Sequence, residues 1–85
     1  MTKQWSSALP KIWSDAQCVY GGNLVEKTLV ECQLACEAKE GCTALNFNPD
    51  EKDGCILRMC KKPIPSPTWS YRNFKGYHML EGEHL

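Results

Sequence analysis

The segment Cys32–Pro49, with the sequence CQLACEAKEGCTALNFNP, decides the fold of this 85-residue chain. Its first part has helical spacing: counted from Leu29 just before it, Cys32 and Cys36 fall at i+3 and i+7, on one face of a helix. After Gly41 the side chains alternate with period two, as in a strand with one buried face. The segment therefore predicts a helix followed by a strand, with cysteines in the helix and at the turn.

The predicted helix has signals at both ends. The stretch Thr28-Leu-Val-Glu31 matches a capping box, in which the threonine hydroxyl accepts a hydrogen bond from a free amide and the glutamate reaches back to the cap. Gly41 can supply the left-handed conformation that ends many helices. We expect the helix to run from about residue 29 to residue 39, with its cysteines toward the core.

Further strands are predicted around this helix. The polar residues 49–54 indicate a hairpin loop, after which Cys55–Cys60 returns as a strand whose first and last cysteines point to opposite faces. Gly21-Gly22-Asn23 is a strong turn signal. The other predicted features are short strands at 12–13 and 16–20, an extended proline-rich loop at 61–68 and a closing strand at 76–80.

Length and composition limit the chain to one small domain. We assign residues 1–12 as a flexible lead-in, 13–80 as the domain and 81–85 as a tail that is native or vector-derived. Ten basic and ten acidic residues give zero net charge, which provides no general reason to bind nucleic acid. Because no run of 18 apolar residues occurs, we predict no membrane insertion.

The six cysteines can form three disulfides, and the predicted elements reduce the fifteen possible pairings. Cys36 lies near Cys42 across the turn that ends the helix. Cys32, one turn earlier, can then reach Cys55 on the strand that faces it. The predicted pairs are Cys32–Cys55, Cys36–Cys42 and Cys18–Cys60.

A zinc site is the competing interpretation of the cysteines. Cys32-x3-Cys36 and Cys55-x4-Cys60 have spacings near those of zinc ligands. Structural zinc ligands usually lie on tight turns, however, whereas the first pair lies in a helical pattern. Six thiols and two late histidines also fit no standard four-ligand set. Disulfides are therefore favoured, and no metal or other cofactor is predicted.

These residues resemble the PAN/apple domain family. In that family a helix bearing Cys-x3-Cys is joined by disulfides to a small antiparallel sheet. A Cys-x-x-Phe/Leu-x-Phe/Tyr-Asn strand and a Cys-x-Leu strand follow the helix. The matching stretches here are Cys32–Cys36, Cys42–Asn48 and Cys55–Leu57.

The resemblance is closest over residues 28–60 and looser over 13–80. It implies an α+β fold in which one central helix packs on a small twisted antiparallel sheet and is held to it by disulfides. It also implies the pairs Cys32–Cys55 and Cys36–Cys42, which agrees with the pairing derived above. The Cys18–Cys60 pair fits the family less closely, because Cys60 follows the hairpin rather than lying in the last strand.

No set of residues in the sequence indicates catalysis. His78 and His84 come without an evident acid–base partner, and the chain lacks both a phosphate-binding glycine-rich loop and a Gly-x-Ser-x-Gly motif. The acidic residues of the 49–54 loop do not fit the calcium-binding pattern of an EF-hand. We therefore expect a protein that is not an enzyme.

Aromatic and basic side chains are the candidate ligand contacts, because aromatic residues and arginine are enriched at interaction hot spots. The alternative is that Trp69 and Phe74 pack over a core with few other aromatics. Arg58, on a predicted strand, also suits a structural role. The candidates are Trp69, Tyr71, Arg72, Lys75 and Arg58.

The leading hypothesis is an extracellular, secreted or cell-surface recognition module that binds protein or glycan partners in adhesion or matrix, as one domain of a larger protein. The N-terminus lacks the apolar core of a signal peptide, so this hypothesis expects a mature form or fragment with a start methionine. The alternatives are a self-association module of a matrix protein and an intracellular zinc-binding module.

Overall fold

Residues 3–80 form one helix and one antiparallel sheet. The computed structural model describes residues 3–80, so the predicted tail lies outside the described residues. The elements in chain order are β1 (Val19–Leu24), α1 (Leu29–Ala38), β2 (Ala44–Phe47), β3 (Cys55–Met59) and β4 (Lys75–His78). The strands lie in the order β1-β3-β2-β4, and α1 packs on the two central strands. The predicted α+β class, with one helix on a small antiparallel sheet, is confirmed.

Helix α1 begins with the predicted capping box. The Thr28 hydroxyl accepts a hydrogen bond from the Glu31 amide at 3.2 Å, and the Glu31 carboxylate accepts one from the Thr28 amide at 2.9 Å. That second bond lowers the pKa of Glu31 below its ordinary value, because it favours the ionised carboxylate. The helix ends at Ala38, where Lys39 caps it in an extended conformation, so the prediction that Gly41 ends the helix is wrong. Gly41 lies beyond the cap, and its left-handed conformation with φ of 87° lets the chain turn into the sheet.

The central strands are buried on both faces. Helix α1 covers one face, where its cysteines meet a cluster formed by Cys42, Leu45, Phe47, Cys55 and Leu57. A second cluster lies on the opposite face and is formed by Trp13, Cys18, Ala44 and Cys60. The sequence predicted the alternation of side chains along these strands, but it did not predict that the second face is covered by the segment around Trp13.

Three disulfides link these layers. Two of them, Cys32–Cys55 and Cys36–Cys42, lie on the helix side of the sheet, and Cys18–Cys60 lies on the other side. These are the pairs that the sequence analysis derived. Because all six cysteines are paired, no thiolate is available for the zinc alternative in this oxidised form.

The prediction of a turn at Gly21-Gly22-Asn23 is wrong, because these residues lie inside β1. The register with β3 shifts between Tyr20 and Asn23, which indicates a β-bulge. Gly22 has φ of 122°, a conformation that only glycine adopts readily. The same glycines that suggested a turn therefore allow the irregularity within a strand.

The segment 4–12, which belongs to the predicted flexible lead-in, lies along β4 and along the chain before it. Its backbone contacts are three isolated bridges: Trp5 with Met79, Leu9 with Gly76 and Ile12 with Trp69. Trp5 also donates a hydrogen bond from its indole nitrogen to the Glu37 carboxylate at 2.9 Å. The sequence did not predict these contacts, which place the start of the packed region before residue 13.

The close approach of this segment to β4 requires a glycine. A Cβ atom at Gly76 would lie 2.5 Å from the carbonyl oxygen of Lys11 and 2.9 Å from a ring carbon of Trp13. Neither the backbone at Lys11 nor the fully buried Trp13 can move away easily.

Among residues 3–80, no helix combines the length and apolar character needed to cross a membrane.

Candidate functional site

A cavity of about 340 Å³ opens on the sheet face opposite the helix. It lies where the segment after Trp13 and the end of the proline-rich loop meet β3. Its lining residues are Ser14, Asp15, Arg58, Thr68 and Trp69. We call this cavity the Arg58–Trp69 cleft, after the two candidates from the sequence that it brings together.

Arg58 lies in the middle of β3 and is only 4% exposed. One terminal nitrogen of its guanidinium, Nη1, donates to a carboxylate oxygen of Asp15 and to the Cys18 carbonyl oxygen. The ring centroid of Tyr20 lies 5.8 Å from the guanidinium carbon, within the range of a cation–π contact. The Nε–H group is buried and has no hydrogen-bond partner among the described residues.

The ion pair of Arg58 and Asp15 is unequal in its exposure. The Asp15 side chain is 81% exposed, whereas the guanidinium is taken almost entirely out of water. Burying an arginine is costly unless a partner offsets its lost hydration, and here Asp15 and the Cys18 carbonyl provide that offset. The cleft thus contains a buried donor of hydrogen bonds next to an accessible carboxylate acceptor.

Trp69 forms the aromatic wall of the cleft. Its backbone amide donates to the Ile12 carbonyl at 3.0 Å, and its carbonyl accepts from the Ile12 amide at 2.8 Å. The Tyr71 ring stacks on the indole with centroids 5.4 Å apart and planes 23° apart. Trp69 nevertheless stays 41% exposed. The Trp69 backbone is therefore anchored to Ile12, its indole stacks on Tyr71, and part of the residue faces solvent.

Asn46 positions the segment that carries Asp15. This side chain is fully buried in β2, where its amide nitrogen donates to the Trp13 carbonyl at 2.9 Å and its oxygen accepts from the Trp13 amide at 3.2 Å. The Trp13 indole in turn donates to the Pro65 carbonyl at 2.7 Å. The period of two after Gly41 is consistent with this position of Asn46 on the face away from the helix, but its role was not identified from the sequence. The sequence offered one signal for this role, which is that a polar residue lies between the two apolar strand residues Leu45 and Phe47.

Gln17 joins the two walls of the cleft. Its amide nitrogen donates to the Ser66 carbonyl at 2.8 Å, and its oxygen accepts from the backbone amides of Thr68 at 3.3 Å and Ser14 at 3.5 Å. These bonds bring together segments about fifty residues apart in sequence. No local pattern marked Gln17, Ser14, Asp15 or Thr68 in the sequence, because their roles depend on this long-range contact.

The remaining candidates lie outside the cleft. Tyr71 contacts both Trp69 and the buried Phe74, so Phe74 has the packing role given as its alternative. Arg72 forms an ion pair with Glu51 at 2.8 Å and lies over the Tyr71 ring, and the bond to Glu51 raises the pKa of its guanidinium. Lys75 is exposed at the start of β4.

The part of the chain from residue 3 to residue 80 contains no group of three or more His, Cys, Asp or Glu side chains placed to hold a metal ion. His78 packs edge-on against Trp13 with ring centroids 6.2 Å apart, and its Nδ1 lies 2.9 Å from the Met79 carbonyl oxygen. The histidine is half-buried in these contacts.

Comparisons with protein-family models, with curated proteins and with solved structures find no match for this chain. The resemblance to the PAN/apple family therefore stays a prediction drawn from the cysteine and strand motifs.

Proposed function

We propose that this protein is a non-catalytic extracellular recognition module of the PAN/apple type that binds a glycan or protein partner. The observation that carries the proposal is the Arg58–Trp69 cleft, in which a half-exposed indole lies beside an ion pair. Ligand sites typically combine an apolar wall with a few convergent polar groups.

The disulfides support the extracellular part of the proposal. Disulfides persist in oxidising compartments, and small secreted domains depend on them because their cores are small. With three disulfides, the chain is compatible with a secreted or cell-surface location. In an adhesion or matrix protein, such a module would present its cleft as one domain of a larger chain.

Binding through the cleft can be tested with a broad glycan array and a pull-down from extracellular matrix. We expect the oxidised protein to bind in at least one assay. Because hot-spot residues each supply a large share of binding energy, we expect Trp69→Ala to weaken that binding about tenfold or more. The control is Leu34→Ala, which truncates an exposed apolar residue on α1 and should leave binding unchanged. No binding in either assay, or equal binding by both variants, would contradict the proposal.

A second candidate function is self-association through β1. This strand lies at an edge of the sheet, has one strand neighbour within the described residues, and exposes Val19 and Tyr20 by 60% and 53%. Exposed strand edges are templates for pairing with another chain. Sedimentation at increasing concentration tests this function: a dimer that Val19→Lys dissociates would support it, and a strict monomer at high concentration would exclude it.

A further inference from the structure

We propose that the Arg58–Trp69 cleft binds an uncharged pyranose residue of a glycan, with the sugar ring against the Trp69 indole and its hydroxyls bonded to Asp15 and Arg58. This inference rests on the proposed recognition function and selects glycan, rather than protein, as the ligand. It is carried by four features of the cleft: its balance of charge, its arrangement of donors and acceptors, its size and its anchored aromatic wall.

The charges of the cleft favour an uncharged ligand. Its lining contains one cation, Arg58, and one anion, Asp15, which are paired with each other. An anionic ligand that approached the guanidinium would also approach the exposed Asp15 carboxylate, and a cationic ligand would be repelled by the guanidinium. An uncharged polar ligand meets neither repulsion and leaves the ion pair intact.

The donors and acceptors of the cleft suit neighbouring hydroxyl groups. A carboxylate only accepts hydrogen bonds and a guanidinium only donates them, whereas a sugar hydroxyl does both. Nη1 of Arg58 already donates to Asp15 and to the Cys18 carbonyl. Two adjacent hydroxyls of a pyranose can therefore donate to Asp15 and accept from the other terminal nitrogen of Arg58, Nη2, at the same time, in charge-assisted bonds. The hydroxyl groups of Ser14 and Thr68, in the same lining, offer further partners.

The size of the cleft suits a small ligand. Its volume of about 340 Å³ lies at the low end of the range for small-molecule sites. A protein partner would instead require a contact surface of roughly 800 Å² on this side. A single sugar residue, alone or at the end of a chain, fills a cavity of this kind.

The aromatic wall is organised before the ligand arrives. Two hydrogen bonds to Ile12 anchor the Trp69 backbone and the Tyr71 ring stacks on its indole, while 41% of the residue remains exposed. The C–H groups on one face of a pyranose form an apolar surface that can pack on such a ring. Because the backbone is already anchored and the indole already stacked, the ordering cost of binding is lowered.

The test compares neutral and acidic sugars on the oxidised protein. A glycan array of neutral, uronic-acid and sialylated oligosaccharides is followed by titration with methyl glycosides of galactose, glucose, mannose and N-acetylglucosamine and with the matching uronic acids. We expect a neutral sugar to bind about tenfold or more tightly than its uronic-acid counterpart. A preference of the unmodified protein for acidic sugars would overturn the inference.

The variant Asp15→Asn sharpens this test, because it removes the negative charge that is paired with Arg58 while keeping the size and shape of the side chain at residue 15. We expect it to weaken neutral-sugar binding about tenfold and to raise uronic-acid binding. The control Asp53→Asn makes the same charge change on the hairpin loop, outside the cleft lining, and should alter neither affinity. Equal effects of the two substitutions would contradict the assignment.

Thr68→Val provides a second variant that does not depend on the ion pair. The Thr68 backbone amide donates to Gln17, so the substitution keeps that bond and removes only the hydroxyl. We expect neutral-sugar binding to fall about threefold to tenfold. If no sugar binds but a matrix protein is captured in a Trp69-dependent way, the glycan inference fails and the recognition function stands. If neither a sugar nor a matrix protein binds in a Trp69-dependent way, the glycan inference and the recognition function both fail.

Discussion

Joint replacement of Cys32 and Cys55 by alanine will lower the free energy of unfolding by about 3 kcal/mol, close to the roughly 3–5 kcal/mol that a core of this size supplies. The bond closes a loop with a sequence separation of 23 and ties α1 to β3. Both cysteines are almost fully buried in the cluster between helix and sheet. Their truncation therefore removes both a constraint on the unfolded chain and packing in the folded one.

The measurement is urea denaturation of oxidised protein, whose intact mass should lie six hydrogens below that of the reduced chain for the unmodified protein and four below for each double variant. The matched control is joint replacement of Cys36 and Cys42, whose bond has a sequence separation of only 6. The loop-entropy argument gives that bond about 2 kcal/mol. Equal losses for the two double variants, or no loss for the first, would contradict the larger contribution that the loop-entropy argument gives to the Cys32–Cys55 bond.

Asn46→Ala should have the second largest effect, a loss of about 2–4 kcal/mol in the free energy of unfolding. The substitution leaves the amide and the carbonyl of Trp13 without their partner in a fully buried place. A buried polar group without a hydrogen bond is costly because water cannot replace the lost partner. The segment that carries Asp15 would also lose its anchor, so ligand binding at the cleft should weaken.

Chemical denaturation followed by tryptophan fluorescence measures this loss, since Trp13 is itself the anchored residue. Asn73→Ala is the control, because Asn73 is exposed and should change stability by less than about 0.5 kcal/mol. If Asn46→Ala were as stable as the control, the Trp13 backbone would have to find other partners, and the positioning role of Asn46 would be wrong.

The sequence predicted the parts of the fold that depend on local signals. The capping box, the helical spacing of Cys32 and Cys36, and the period of two after Gly41 each specify a direction for nearby side chains. Those directions were enough to identify the strand that packs against the helix and to derive the cysteine pairs. Two cysteines can form a disulfide only if their side chains point toward each other. The fold class was predicted correctly because these local signals all indicate the same arrangement of helix and strands.

Features that depend on distant contacts could not be predicted. The glycines at 21–22 suit a turn and a β-bulge equally well, and only the pairing of β1 with β3 decides between them. The segment 4–12 lies along residues from near the other end of the domain, which no local pattern indicates. Contacts of this kind are decided by tertiary packing.

The cleft was predictable only in part for the same reason. Arg58 and Trp69 were identified from residue type. Asp15 belongs to no motif in the sequence, and its role comes from the ion pair that it forms with the buried Arg58 guanidinium. Tyr71 and Arg72 follow Trp69 closely in sequence but do not line the cavity. The chain turns sharply at Arg72, which has φ of 50°, and this turn directs the next residues toward β4.

The claim that the Arg58–Trp69 cleft is the ligand site is tested most directly by amide NMR spectra of the isotope-labelled, oxidised protein during titration with the methyl glycosides. We predict that the largest shifts occur at the indole N–H of Trp69 and at the backbone amides of Ser14, Asp15 and Thr68. The exposed helix residues Val30 and Leu34 should show no change. Shifts centred on the helix or on β1, with the cleft signals unmoved, would contradict the claim.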